Sequence, residues 1–347
     1  MQTALFKIRE EEKYGFINAQ GEIVIEPQYY EAEDFYHGFS RVRFNNKLVP
    51  LDHLGRLLMK HLFNHVGFFE EGLAKVQLVN LWGYIDQRGS IRIEVQYEDA
   101  GDFSENLAAV KKEKYGYINP TGDFQIKALY EQAGVFKEGL AAVALEGQFG
   151  YINQSGELVI PTQFVEAFPF QGNVAVVAED QALWGLINRA GKWLAEPQFS
   201  LEKGQPNGQF FDDRCVIIQD EKYGFLDRAA QVVVRPKFDF AGDFSEGLAL
   251  VEINQAYGYI DALGKLEILP NYEDAGDFSE GLAQVSVKGK WGFIDATGNM
   301  RIKPIYDEVA AFKNGLAWVL MDGNWAYIDA KGVPVWQEQK NVSFTMS

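Results

Sequence analysis

The chain has 347 residues, 47% of them apolar and 14% aromatic, with 32 Lys or Arg against 49 Asp or Glu. That apolar fraction is enough for a packed core and excludes an intrinsically disordered chain. The net charge of −17 repels phosphate backbones and argues against a nucleic-acid partner.

The charge is uneven. Residues 1–92 hold 11 Lys or Arg and 12 Asp or Glu, a balance of −1, so the other −16 lies beyond them. All four histidines, His37, His53, His61 and His65, also lie in that near-neutral end. The N-terminal Met-Gln-Thr-Ala-Leu-Phe-Lys-Ile-Arg lacks the long apolar run of a secretory signal. No stretch approaches the ~20 apolar residues of a membrane span. The expectation is a soluble cytoplasmic protein without a membrane span.

In chain order, an aromatic-Gly pair recurs at Tyr14-Gly15, Trp82-Gly83, Tyr115-Gly116, Phe149-Gly150, Trp184-Gly185, Tyr223-Gly224, Tyr257-Gly258 and Trp291-Gly292. Trp325-Ala326 is a worn copy, and Leu48-Val49 fills the remaining slot. Gly15 and Gly83 are 68 residues apart, two units of 34, and the later steps are 33, 34, 35, 39, 34 and 34. Self-similarity at such a period marks a repeat architecture, here of ten units.

Each unit continues into a turn with Asp or Asn first and Gly fourth, as at residues 18–21, 52–55, 86–89 and 295–298. That is type I turn chemistry, and Pro120 sits second in its turn, where its fixed φ fits. Only residues 227–230 lack the glycine, having Ala230. A short alternating run follows, often ending in Pro (Pro27, Pro197, Pro236, Pro270, Pro304). A connector then leads from Tyr or Phe to Phe-x-x-Gly and an apolar Leu-Ala-x-Val run.

These short Val-, Ile-, Phe- and Tyr-rich segments, punctuated by turns, read as strands. A helical repeat of similar period fails, because glycines inside its helices would each cost about 1 kcal/mol. The fold class is therefore all-β: an array of about ten three-stranded antiparallel meanders. An open solenoid or superhelix is expected, with a closed β-propeller as the alternative. Single rings commonly have about 4 to 8 blades, and ten small units would surround a wide hole. One array is expected over residues 1–336, with a polar tail at 337–347. The glycine of the aromatic-Gly pair is expected to leave space for a side chain of the adjoining unit. Unit two, with Leu48-Val49 and Pro50, is expected to be reshaped. The connector after Phe199 carries an insertion at residues 200–209, whose part in function is open.

The run Lys-Trp-Gly-Phe-Ile-Asp-Ala-Thr-Gly (290–298), followed by Tyr306-Asp307 and by Phe-Lys-Asn-Gly-Leu-Ala (312–317), resembles the bacterial WG, or KWG, repeat over residues 4–336. The resemblance implies a β-rich repeat that mediates interactions and brings no catalytic residues.

The sequence contains no Gly-rich phosphate loop, His-Glu-x-x-His, Cys-x-x-Cys or Gly-x-Ser-x-Gly. Near-identical acidic connectors hold Asp99, Asp102 and Glu105; Asp243 and Glu246; and Asp274, Asp277 and Glu280. They lack the spacing of a known Ca²⁺ loop and read as caps of an exposed segment. His53, His61 and His65 read as worn repeat positions rather than metal ligands. The lone Cys215 reads as a core residue in the Leu position of its unit, equivalent to Leu316. Trp193 and Trp318 are off-pattern aromatics, suited either to local packing or to partner contact.

The reading is a non-catalytic scaffold for a protein or peptide partner, with Trp193, Trp318, Asp102, Asp243 and Asp277 as candidate partner-binding residues. No catalytic residue, cofactor or metal is assigned. The alternative is a glycan-binding protein or an enzyme with a site in a groove between repeats.

Overall fold

The computed structural model describes residues 4–58, 63–180, 183–200 and 209–338. Among these there is no helix. The strands form ten small antiparallel sheets laid down in chain order, and none closes into a barrel. The expected all-β repeat array is therefore what the chain forms.

The ninth sheet shows why a unit folds as it does. Its strands are Asp274–Ala275, Leu282–Val287, Lys290–Asp295 and Met300–Tyr306, in that spatial order. Glu280 and Gly281 both have positive φ between the first pair, as do Lys288 and Gly289 between the second. Two such residues make the tight hairpin turn whose twist matches that of its strands. The third turn is held by Asp295, whose Oδ1 accepts the amides of Thr297 and Asn299, each at 3.0 Å. Gly298 closes it at φ 80°.

Three strands were expected per unit, but among the described residues seven sheets have four, two have three and one has two. The extra strand comes from the connector. Tyr272 ends one sheet and Asp274 begins the next, with one residue between them. The connector is thus a strand that changes sheets rather than a loop. The two-stranded sheet, Phe39–Phe44 with Lys47–Asp52, is the reshaped unit two. His61 and most of the 200–209 insertion lie outside the described residues.

The aromatic-Gly glycine does a different job from the one expected. Trp291 pairs with Tyr306 and Phe293 with Ile302, so two residues of one strand face four of the other. The surplus arches over Gly292, and a Cβ there would lie 2.5 Å from the Ile302 carbonyl oxygen. The close neighbour is the backbone of the same unit, not a side chain of the next. Pro304 fits the arch because a bulge leaves an amide without a ladder partner. Unit ten supplies the control. Ala326 pairs directly with Gln337, without the wide bulge, and there the glycine is replaced.

Each core cluster draws on two successive units. Leu282, Phe293, Ile302 and Tyr306 of unit nine pack with Phe312, Ala317, Val319 and Ile328 of unit ten. Where a tyrosine stands two residues after the aromatic of an aromatic-Gly pair, as in four units, it reaches the next unit. Tyr84 Oη donates to the Gly101 carbonyl at 2.7 Å, Tyr117 to Gly134 at 2.8 Å and Tyr259 to Gly276 at 2.7 Å.

The equivalent tyrosine joins the two ends, though its hydroxyl reaches a strand carbonyl rather than a connector carbonyl. Tyr327 Oη of unit ten donates to the Lys7 carbonyl of unit one at 2.9 Å. Phe6, Ile8 and Ile17 share a core with Leu316, Tyr327 and Trp336. Gly21 sits against the Val335 carbonyl. No strand is shared between first and last sheets, so they are not paired edge to edge. The row returns on itself by face packing, the contact of the closed alternative rather than of an open array. The physical reason is that both end units keep apolar faces, which an open array would leave in water.

Two outcomes are expected. Gly292→Ala already places a Cβ against backbone and should cost about 3 kcal/mol or more, beyond ordinary overpacking. Ala326→Gly should cost no more than about 1 kcal/mol. Denaturant melts of both variants check this. Tyr327→Phe should raise amide exchange in both 6–17 and 316–336, although these segments lie at opposite ends of the chain. Exchange rising only in 316–336 would contradict closure.

Candidate functional site

The described connectors form a belt. Each is anchored by a phenylalanine, and Phe69, Phe103, Phe136, Phe170, Phe210, Phe244, Phe278 and Phe312 are buried. Successive connectors are linked, since Ser104 Oγ donates to the Phe136 carbonyl, Ser245 to Phe278 and Ser279 to Phe312, each at 2.7 Å. The residue just before the anchor is Asp in four units and varies in the other five. It is Asp34, Phe68, Asp102, Val135, Pro169, Gln209, Asp243, Asp277 and Ala311 in order. Asp34, Val135, Pro169, Gln209 and Asp277 are exposed.

The acidic connectors do cap, but they cap the neighbouring unit. The Glu71 carboxylate accepts the amides of Glu105 (2.8 Å) and Asn106 (2.9 Å) in the next hairpin turn. Glu138 does the same for Gly172 and Asn173, and Glu246 for Glu280 and Gly281. The two amide bonds hold the Glu138 carboxyl below its usual range, against the opposing pull of burial. These glutamates themselves have positive φ, where Asn or Gly is the easier residue. The longer side chain explains the choice, because it spans the gap to the next turn.

The five candidate residues do not converge. Trp193 packs edge-on against Phe164, ring centroids 5.8 Å apart. Trp318 stands against Trp325 at 5.1 Å and lines a cleft where unit ten meets units one and two. Asp102 takes the Lys75 ammonium at 3.2 Å. Asp243 and Asp277 lie in successive connectors that approach closely, as a Cβ on Gly242 would stand 3.1 Å from Asp277 Oδ1. No cation pairs with either among the described residues. Burial first, then the Asp277 charge, push the Asp243 carboxyl up from 3.8 to about 6.

Among the described residues no three His, Cys, Asp or Glu side chains gather as metal ligands. His65 lies edge-on to Trp82 at 5.3 Å, with its pKa lowered by burial and by Arg41 and Lys75. Cys215 is buried, as expected of a core residue, but its slot is different. It pairs with Leu226 as Ala317 pairs with Ile328, so it occupies the Ala position and Arg214 that of Leu316. The residues that the sequence did not single out are Phe6, Lys7 and Lys313, which share the cleft with Trp318.

A family model described as WG containing repeat matches residues 14–47, 82–114, 115–148, 149–181, 184–200, 223–255, 257–291 and 291–325. The chain belongs to the WG-repeat family. The gap at 48–81 in this WG-repeat chain begins at Leu48-Val49, and the gap after 200 begins at the insertion. None of the curated proteins compared with the WG-repeat chain matches it. Among solved structures, a eukaryotic initiation factor matches with TM-score 0.56 and 11% identity, over 98% of this chain and 97% of that one. The computationally designed Ika8 protein matches with TM-score 0.36 and 13% identity, over 97% and 96%. BamB from Moraxella catarrhalis matches with TM-score 0.42 and 8% identity, over 85% and 98%. At such identity the first likeness concerns the fold alone, a repeat β scaffold spanning nearly the whole chain.

The Asp243 carboxyl gives a pH prediction. Its folded pKa is raised, so the folded form holds the proton more tightly than the unfolded chain does. Stability is therefore greatest below pH 3.8 for this group and falls as pH rises through about 6. Asp243→Asn should raise the melting temperature at pH 7 and leave it unchanged near pH 3.5. An equal gain at both pH values would mean that ionisation is not the cause.

Proposed function

We propose that this protein is a non-catalytic interaction scaffold whose partner is a protein or peptide. The observation that supports the reading is the belt. Its buried Phe anchors and turn caps repeat, while the residue beside the anchor is Asp in four units, varies in the other five, and stands in solvent in five of the nine. A repeat scaffold varies at its contact positions and keeps its packing positions. Of the candidate residues, Asp102, Asp243 and Asp277 lie on this belt while Trp193 and Trp318 lie in other strands, and the five do not converge on one cleft, which weighs against a single catalytic or glycan pocket. The acidic surface favours a partner with a basic face.

The test compares affinity capture by the intact chain and two surface variants. Val135→Arg with Pro169→Arg alters the belt, whereas Arg88→Glu alters an Asp-x-x-Gly turn away from it. Partners held by the intact chain should be lost by the belt variant and kept by the turn variant. Equal retention by both would overturn the reading.

A further inference from the structure

Unit three ends one of its hairpins differently from the rest. The turn between Leu73–Leu78 and Leu81–Asp86 is Val79-Asn80. Leu78 and Leu81 face each other across it, so their side chains leave the same face of the hairpin. Leu78, Val79 and Leu81 are 40%, 76% and 42% exposed. Three aliphatic side chains thus stand together on one convex tip. In the place of Val79 other units have Asn45, Glu146, Asp220, Asn254, Lys288 or Asp322.

The tip is also strained. Val79 has φ 59°, in the left-handed region, and is the one β-branched residue with positive φ among the described residues. A β-branched side chain is a poor fit to that backbone, where Asn or Gly is the easier residue. Strain of this kind persists where something outside the turn compensates it, which makes the outlier a pointer to function. The surroundings are poor in free charge. The Val79 amide donates to Asn64 Oδ1 at 3.0 Å. Gln77 precedes Leu78, and Gln96 precedes Tyr97, the partner of Trp82. The lysines of the next hairpin are engaged, since Lys112 donates to Gln96 Oε1 at 2.7 Å and Lys111 lies 3.6 Å from Glu98. An apolar centre with an amide rim is the anatomy of a protein interface. A lipid-binding tip relies instead on free cations and aromatic rings.

We propose that the Leu78-Val79-Asn80-Leu81 tip anchors a partner protein by entering an apolar pocket with an uncharged rim on that partner. This rests on the reading of the chain as a protein-binding scaffold and adds a surface separate from the belt. A pocket encloses the three side chains, and fully desolvated anchors of this kind carry most of the energy of an interface. A second copy fits less well, because one convex tip against another covers far less than the roughly 800 Å² per partner of a stable interface. An anionic bilayer fits less well, because the net charge of −17 is repelled by it. The contact uses no charge pair, so salt should leave it unchanged.

The test attaches a benzophenone to the tip of the full chain through Asn80→Cys. Cys215 is buried, so the label goes to the exposed position 80. Asn254→Cys labels the equivalent polar tip of unit eight. Each is irradiated in an extract of the cells that make the protein. One adduct with a second polypeptide is expected from position 80 and none from 254, with the same yield in low and high salt. Leu78→Ser with Leu81→Ser should lower that yield about tenfold. Both leucines are exposed, so this variant should fold, and its thermal melt checks that. Val79→Asn should weaken the adduct and yet raise the melting temperature, because Asn takes the left-handed backbone more easily. No adduct from position 80, equal adducts from both positions, a yield indifferent to the serines, or loss in high salt would overturn the proposal. An adduct of twice the chain's mass would assign the tip to a second copy. Sedimentation with phosphatidylcholine–phosphatidylserine vesicles that the serine variant abolishes would assign it to a bilayer, and either result overturns the proposal. The belt variant leaves the tip intact and the serine variant leaves the belt intact, so the two readings can fail separately.

Discussion

The structure depends on one constraint: no unit can bury its own faces. A sheet of four short strands has too little apolar material on one side to stand alone in water. Each core cluster therefore spans two units, and each fully buried Tyr, Phe or Ile in it contributes about 1.5–3 kcal/mol. The polar contacts follow the same direction. A tyrosine hydroxyl and a glutamate carboxylate of one unit satisfy backbone groups of the next. Any end left without a neighbour would expose an apolar face and unpaired polar groups together. Packing Phe6 and Ile8 against Leu316 and Tyr327 removes both ends.

Departures from the repeat gather at that junction. Ala326 replaces glycine where the bulge is absent. Phe6 occupies a slot that holds Ala74, Ala108, Ala141, Ala249, Ala283 and Ala317 elsewhere. His37 stands at the position of Glu71, and Asn314 at that of Glu280, so the carboxylate bridge is interrupted on either side of unit one. The uniform part of the ring is held by repeated contacts, and the junction is held by particular ones. A surface that differs from the rest of a repeat array is where a specific partner can be distinguished.

The repeat period, three of the four strands of a unit, their order and the Asp-x-x-Gly turns were legible in the sequence, but the connector strand was not. All of these depend on interactions between residues a few positions apart. Aromatic and β-branched alternation makes a strand, and an Asp carboxylate two residues before an amide makes a turn, wherever the unit lies. The recurrence of the connector phenylalanines was legible too, and their burial follows because a repeated apolar residue must find a repeated pocket. Tertiary structure decided what lies between distant residues. Whether Gly292 faces a neighbouring unit or the Lys303-Pro304-Ile305 arch depends on a register shift that leaves no mark in composition. Whether Tyr327 meets solvent or the Lys7 carbonyl depends on the small rotation from each unit to the next, summed over ten steps. That rotation is set by packing across sheets, so the chain's closure, and the cleft beside Trp318 and Lys313, exist only in the folded ring.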